Sequence, residues 1–110
     1  MSICDSTTLS LEDLERFARM FKALANPHRL RILLELTRCL SDDGGFETSV
    51  EEMKNCQGEF AADLGLAPST VSHHFKELRQ AGLLRTKREG KTVRVWVETE
   101  ALQALRGLLA

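Results

Sequence analysis

Three patterns in the sequence predict a mainly α-helical domain with one β-hairpin, about five helices and two strands in all. Apolar residues recur at helical spacing through residues 11–36. Two short helical segments meet at Gly65, and two β-rich runs flank a turn at residues 89–91. At 110 residues the chain is long enough for one such domain with its own core. We expect residues 1–110 to form that domain, with a flexible N-terminal arm over about residues 1–9.

The first two helices are predicted from their caps and their apolar spacing. Ser10 followed by Asp13 is close to a capping box, with Asp in place of the usual Glu or Gln. The residues that then recur at helical spacing are Leu11, Leu14, Phe17, Phe21 and Leu24. Asn26 caps a second helix that has Pro27 in its first position. Apolar residues nearly encircle this helix, which ends near residues 38–40, so we expect it to be the most buried one.

An acidic connection follows the second helix. Residues 42–63 contain seven Asp or Glu against one Lys, a net charge of −6. The Gly-Gly pair at 44–45 interrupts the connection, and Ser49 is placed to cap a short helix that reaches about Met53.

The next stretch has the residues that a helix-turn-helix requires. Two helices that cross steeply need a small residue at their contact, here Ala61, and a glycine in the turn, here Gly65. Val71 supplies the apolar side chain that packs back from the second helix. That helix has Pro68 in its first position and ends at Gly82.

A hairpin and a last helix complete the chain. Valines at alternate positions from Val93 to Val97 are separated by Arg94 and Trp96, which is the period of a half-buried strand. A basic hairpin beside a helix-turn-helix predicts a winged helix-turn-helix. The final amphipathic helix starts at about residue 100 and carries Leu102, Leu105, Leu108 and Leu109.

The charge distribution points to nucleic acid, although the formal net charge is only −1. Residues 68–97 contain seven Lys or Arg against two Glu, a net charge of +5. On a helical wheel the face opposite Val71, Phe75 and Leu78 has no acid through its first two turns. An ordinary solvated face is the simpler interpretation, but short donors near a helix N-terminus suit phosphate and base-edge contacts. The candidate DNA-binding residues are Ser69, Thr70, Ser72, His73 and Lys76 on the helix, and Arg88, Lys91 and Arg94 on the wing.

The adjacent histidines do not resemble a metal pair. Neighbouring residues of a helix point in different directions, whereas paired ligands usually lie three or four residues apart. We expect His74 to be a partly buried, hydrogen-bonded packing residue and His73 to face outward.

Three stretches resemble one known family. They are FKALANPHRLRILLEL, TVSHHFKELRQAGLL and REGKTVRVW, and they resemble the ArsR/SmtB family of winged-helix transcriptional repressors over about residues 15–110. The resemblance implies a homodimer, joined through its first and last helices, that leaves its operator on sensing a metal ion, metalloid or oxidant. The residues expected at that interface are Leu11, Leu14, Phe17, Leu102, Leu105 and Leu109.

The sensing sites of that family are only partly present. Its arsenic, cadmium and lead sensors have Cys-x-Cys at the start of the first helix of the helix-turn-helix, whereas this chain has Cys56 followed by Gly58. The zinc type places Asp and His on the last helix, which has neither here. Cys4 in the arm or Cys39 remains available to complete a thiol site for As(III), another soft metal ion or oxidation. The simpler alternative is that Cys39 is a small buried apolar residue and Cys4 is incidental.

Other classes of function are less well supported. The sequence has no apolar run of membrane-spanning length and no signal pattern, so we expect a cytoplasmic protein. A Ser-His-Asp set, a Gly-rich phosphate loop and paired catalytic carboxylates are all missing from the sequence, so we do not expect an enzyme. The main alternative is a winged-helix module for protein contacts, with the acidic residues 42–63 as its partner surface.

Overall fold

A computed structural model describes residues 9–39 and 46–109, which form five helices and a three-stranded antiparallel sheet. The elements are α1 (Leu11–Leu24), α2 (Pro27–Cys39), β1 (Phe46–Ser49), α3 (Val50–Leu64), α4 (Pro68–Gln80), β2 (Leu84–Glu89), β3 (Thr92–Val97) and α5 (Thr99–Leu109). The expected N-terminal arm lies outside the described residues except for Leu9. The predicted fold class, a mainly α winged helix-turn-helix, is confirmed, with one strand more than the sequence indicates.

The predicted helix starts are confirmed by their hydrogen bonds. The hydroxyl of Ser10 accepts from the amide of Asp13 at 3.0 Å. The side-chain oxygen of Asn26 accepts from the amides of His28 and Arg29 at 2.9 and 3.2 Å. These bonds satisfy amides that have no partner within the helix, and each cap contributes about 1 kcal/mol.

The expectation that α2 is the most buried helix is wrong, because α4 buries four side chains and the described part of α2 buries three. Ile32, Leu33 and Leu36 are buried, but Leu30 and Leu34 are 39% and 56% exposed. Helices α1 and α4 and strand β3 pack against one side of α2. The apolar residues that encircle the helix therefore divide into a core face and a face turned to solvent.

The short predicted helix at 49–53 and the first helix of the helix-turn-helix are one continuous helix, α3. Ser49 is its cap, because its hydroxyl accepts from the amide of Glu52 at 3.0 Å. The helix continues through Gly58, whose cost in a helix interior, about 1 kcal/mol against alanine, does not end it. The residues just before it form β1, a strand that the sequence analysis missed.

The sheet has the order β1-β3-β2, with β3 in the centre. Val95 and Val97 of β3 are buried and Trp96 between them is half-buried, whereas Arg94 before them is exposed, in line with the predicted alternation. The largest fully buried side chains, which fix α4 against the rest of the domain, are Phe75, Met20, Ile32, Leu33, Leu78, Leu83, Leu84, Val71 and Val95.

Candidate nucleic-acid interface

The turn before α4 has the predicted geometry. Gly65 ends α3 with a φ of +68°, a backbone conformation that suits glycine. The amide of Leu66 donates to the carbonyl of Ala61 at 2.9 Å, and both Ala61 and Val71 are buried. The predicted contact residues of the helix-turn-helix therefore occupy the expected places, and α4 starts from a rigid turn.

The N-terminus of α4 is open to an external anion. Ala67 precedes the helix with no side chain able to cap it, and Pro68 follows in the first position. The first turn contains no acidic residue. The partial positive charge of the helix end is thus directed outward, where it favours a phosphate group.

One face of α4 is turned to solvent along its whole length. Ser69, His73, Lys76 and Gln80 are all exposed and recur at helical spacing. We call these four residues the α4 stripe. The opposite face is buried at Val71, Phe75 and Leu78, each at most 1% exposed, so the inward face predicted from the helical wheel is confirmed.

The flank of the stripe nearest α3 is already engaged. The hydroxyl of Ser72 donates to the side-chain carbonyl oxygen of Gln57 in α3 at 3.0 Å. Thr70 is half-buried. Of the short hydroxyl donors named from the sequence, Ser69 is therefore the most accessible, and Ser72 is also a link between the two helices.

The exposed ring of His73 lies beside an acid that is not part of the stripe. Its Nε2 is 3.4 Å from Oε1 of Glu77, one helical turn further along. This contact limits the directions in which the ring can point from the surface, and the pair becomes an ion pair when His73 is protonated.

His74 is buried, as expected, but the expected hydrogen bond is not found at Nδ1. The residue is 5% exposed, and its Nδ1 has no partner among the described residues. Its ring lies 6.2 Å, centroid to centroid, from that of His28. Burial first, and then the charge of Arg29, lowers the pKa of His74 below its usual 6.5.

The wing is a tight hairpin with basic side chains on its exposed faces. Gly90 makes the turn with a φ of +62°. Nε of Arg88 donates to the carbonyl of Gly90 at 3.2 Å, which holds that side chain over the turn. Arg94 lies in register between Lys87 of β2 and Glu47 of β1. Arg88, Lys91 and Arg94 are all exposed.

The wing tip is attached to the start of α3. The amide of Val50 donates to the carbonyl of Lys91 at 3.1 Å. A groove of about 430 Å³ separates the two elements, and Lys54, Arg88 and Lys91 contribute the basic part of its lining. The wing tip and the start of α3 are therefore joined directly, and Glu51 is the acid in the lining of the groove between them.

Cys56 lies at a different place in its helix from the one that the sequence predicts. Cys56 is half-buried and is the seventh residue of α3, not a residue at the helix start, because the helix begins at Val50. Cys4 and the side chain of Cys39 lie outside the described residues. Among the residues that the structure describes, no group of three or more His, Cys, Asp or Glu is arranged to hold a metal ion.

The side chains predicted at the dimer interface divide into two groups. Leu11, Leu14 and Leu109 are 71%, 49% and 72% exposed. Phe17 and Leu105 are buried in the core of the single chain, and Leu102 is partly buried against that core. Less apolar surface is available to a partner than the leucine spacing alone suggests.

Known proteins share both this sequence and this fold. A model of the bacterial arsR family of regulatory proteins matches residues 48–86, from the end of β1 into β2. NolR, a nodulation protein of Rhizobium meliloti, is 32% identical over 99 residues, which are 90% of this chain and 70% of NolR. The chain belongs to the ArsR/SmtB family of transcriptional regulators. The resemblance stated from the sequence motifs is confirmed.

Further relatives in the ArsR/SmtB family agree. The solved structure of HlyU from Vibrio cholerae is 30% identical, covers 90% of this chain and 94% of its own, and has a TM-score of 0.57. CmtR of Mycobacterium tuberculosis is 40% identical over 77 residues, 70% of this chain but 53% of CmtR. These relatives are transcriptional regulators rather than enzymes, so the prediction of a non-enzymatic DNA-binding regulator is confirmed. No helix within residues 9–39 and 46–109 is long and apolar enough to cross a membrane.

Proposed function

We propose that the chain is a sequence-specific transcriptional repressor that binds operator DNA as a homodimer. The observation that carries this proposal is the exposed α4 stripe, which starts at an uncapped helix N-terminus and lies beside a basic wing. HlyU of Vibrio cholerae is named a transcriptional activator, so DNA binding alone does not distinguish repression from activation. The position of the operator relative to the regulated gene tests the repressor part of the proposal. Because the ligand is DNA, we expect the protein in the cytoplasm.

The helix and the wing have different roles in this proposal. Ser69, His73 and Lys76 extend from α4 as donors toward base edges in the major groove, with Thr70 and Ser72 on the flanks. Arg88, Lys91 and Arg94 contact the sugar–phosphate backbone or the adjacent minor groove. The hydrogen bond from Val50 to the carbonyl of Lys91 supports this division, because it fixes the distance between the two contact surfaces.

The proposal of a homodimer rests on the small size of the α4 surface that would contact base edges. One helix of 13 residues contacts only a few base pairs, so specific binding needs two half-sites about 34 Å apart. The exposed leucines of α1 and α5, Leu11, Leu14 and Leu109, supply apolar surface that a second copy would cover.

The proposed switch is a thiol site that includes Cys56, completed by Cys39 or by Cys4 of either protomer. The effector is As(III), another soft metal ion or an oxidant. A solved structure named AntR, an antimony-specific transcriptional repressor, is 25% identical with a TM-score of 0.58. In this chain Cys56 directly precedes Gln57, which accepts the hydrogen bond from Ser72 of α4. In this proposal a ligand on the thiol disturbs the hydrogen bond that orients α4. Release from DNA is driven by the difference between the ligand's affinity for the free protein and its affinity for the DNA-bound protein.

The test is a titration of the purified, reduced protein on DNA from upstream of its own gene. Fluorescence anisotropy compares this DNA with a scrambled duplex of equal length and composition. The titration is repeated with As(III), Cd(II), Zn(II) and peroxide. We expect preference for the upstream DNA, two chains per site and weaker binding with one effector. Equal, weak binding to both duplexes contradicts the proposal and favours the protein-contact module, with the exposed acids of α3 as its surface.

A further inference from the structure

A second basic site lies on the opposite flank of α4 from α3. Helices α1, α2 and α4 enclose a pocket of about 200 Å³ at this place. Its lining residues are Arg19, Lys22, Ala23, Arg29, Glu77, Gln80 and Ala81. We call it the α1–α2–α4 pocket. None of the residues chosen from the sequence as DNA-binding lines it.

The charge in this pocket is strongly positive. Three cations line it, and within the described residues none of the three forms an ion pair with a carboxylate. Glu77, the one acid in the lining, lies 3.4 Å from Nε2 of His73 and is partly engaged there. A concave surface on which three cations outnumber one acid has a positive electrostatic potential, which favours an anion.

One of the side chains, that of Arg29, is held in place by a hydrogen bond. Nε of Arg29 donates to the carbonyl of Ala23 at 2.8 Å, which fixes the guanidinium at the pocket wall. A ligand would then be bound through its Nη groups, in the paired manner usual between arginine and phosphate. Gln80 adds an amide donor, and Lys22 adds a point charge.

The position of Gln80 connects this pocket to the α4 stripe, of which it is the last member. Ser69 and Gln80 are eleven residues apart in the helix, a distance of about 16 Å. The major groove is about 12 Å wide. If α4 crosses the groove with its start at the base edges, its other end comes near a phosphate at the border of the groove.

We propose that the α1–α2–α4 pocket binds a phosphate group, carried either by the DNA backbone beside the operator half-site or by a small phosphorylated anion. Phosphate fits the pocket because it is compact and anionic and presents several acceptor oxygens to Arg19, Lys22, Arg29 and Gln80. The DNA source rests on the function proposed above, whereas the small-anion source does not.

The test uses the double variant Arg19→Gln/Lys22→Gln of the full chain. Both side chains are exposed, so the variant leaves the core intact, and Arg29 is kept because its bond to Ala23 is structural. The matched control is Arg31→Gln/Arg38→Gln, which removes two exposed cations from a separate groove on α2. Thermal unfolding followed by circular dichroism verifies that both variants fold.

Two titrations distinguish the sources of the phosphate. On upstream DNA at several salt concentrations, loss of a backbone contact weakens binding roughly tenfold at 0.1 M salt and lowers the salt slope by about one. Without DNA, calorimetry with inorganic phosphate and pyrophosphate measures small-anion binding directly. The control variant should match the wild type in both titrations.

Each result decides a separate point. A loss confined to DNA identifies a backbone phosphate, a loss confined to pyrophosphate identifies a small anion, and losses in both identify an anion that competes with DNA. A double variant that equals the wild type in both titrations overturns the inference. If the wild type binds no DNA, the proposed function fails, and the pyrophosphate titration alone then decides whether the pocket binds phosphate.

Discussion

The hydroxyl of Ser72 donates a hydrogen bond of 3.0 Å to Oε1 of Gln57, which joins α4 to α3 beside the exposed face of α4. This bond resists rotation of α4 about its own axis. Since Gln57 follows Cys56 in the chain, the thiol site proposed above would act on the orientation of α4 through a single neighbouring residue.

The first prediction concerns this thiol. Cys56→Ser should keep operator affinity close to that of the wild type, because serine preserves the size of the side chain, but should lose the response to the effector. Anisotropy with and without the effector identified for the wild type measures both properties. Cys4→Ser and Cys39→Ser, tested in parallel, identify the second thiol. A triple variant that responds like the wild type would remove thiol sensing from the proposal.

The second prediction concerns the pH dependence of stability. Because the pKa of His74 is lowered in the folded protein, the unfolded chain binds more protons as the pH falls below about 6.5. The free energy of unfolding should therefore decrease from pH 7.5 to pH 5.5. His74→Leu should make this decrease smaller, because the substitution removes both the titrating ring and its unpaired buried Nδ1. Urea unfolding at both pH values measures the difference. His73→Gln is the control, and an unchanged pH dependence in His74→Leu would rule the explanation out.

The third prediction compares Gly58, inside α3, with Gly65, the C-cap of that helix. Gly58 lies inside the helix, and a Cβ built there has no atom within 4 Å. Gly58→Ala should raise the free energy of unfolding by about 0.5–1 kcal/mol. A Cβ at Gly65 also has space, but the φ of this residue is +68°. Gly65→Ala should therefore lower the free energy of unfolding by about 1 kcal/mol or more. Chemical denaturation of both variants tests the pair, and changes of the same sign would contradict the backbone argument.

The fourth prediction concerns the proposed dimer. Leu14→Glu places a charge on the exposed apolar face of α1 and should shift the protein toward monomer and weaken operator binding. Sedimentation velocity at micromolar concentration measures the assembly state. Leu34→Glu is the matched control, since Leu34 is similarly exposed, at 56% against 49%, but lies on α2. An interface at α1 would be contradicted if the wild type is a monomer that binds the operator with full affinity. It would also be contradicted if Leu34→Glu dissociates the dimer and Leu14→Glu does not.

Local signals in the sequence predicted the helix caps, the Gly65 turn and the hairpin correctly. Strand β1 escaped prediction because its four residues are stabilised by pairing with β3, where Glu47 lies opposite Arg94. A pairing between segments so distant in sequence leaves little trace in either segment. The burial of α2 was overestimated because apolar spacing does not reveal which face of a helix another element covers.

The α4 stripe was predictable because a helical wheel needs only the helix and its inward face. The α1–α2–α4 pocket was not, because Arg19, Arg29 and Gln80 come together only when three helices pack. Cys56 was misplaced for a related reason. The sequence suggested two helices, one ending at about Met53 and a second with Cys56 at its start, whereas the capped start at Ser49 and the contact of α3 with α4 stabilise one continuous helix.

Separable roles for the helix and the wing are the centre of the proposed function. Ser69→Ala and His73→Ala should each reduce the preference for operator over scrambled DNA by roughly 1–3 kcal/mol where a good base contact is lost. Lys91→Ala and Arg88→Ala should weaken both duplexes alike and lower the salt slope by about one per phosphate contact. A wing variant that changes only the operator preference would reverse these assignments.

The most direct measurement is operator binding by the triple variant Lys76→Ala/Lys91→Ala/Arg94→Ala, followed by anisotropy across a salt series. These three side chains come from both the helix and the wing, and all are exposed, so their removal should leave the fold intact. We predict that the folded variant loses most of its operator affinity and has a markedly smaller salt slope than the wild type. Operator affinity and salt slope equal to those of the wild type would contradict DNA binding by this surface.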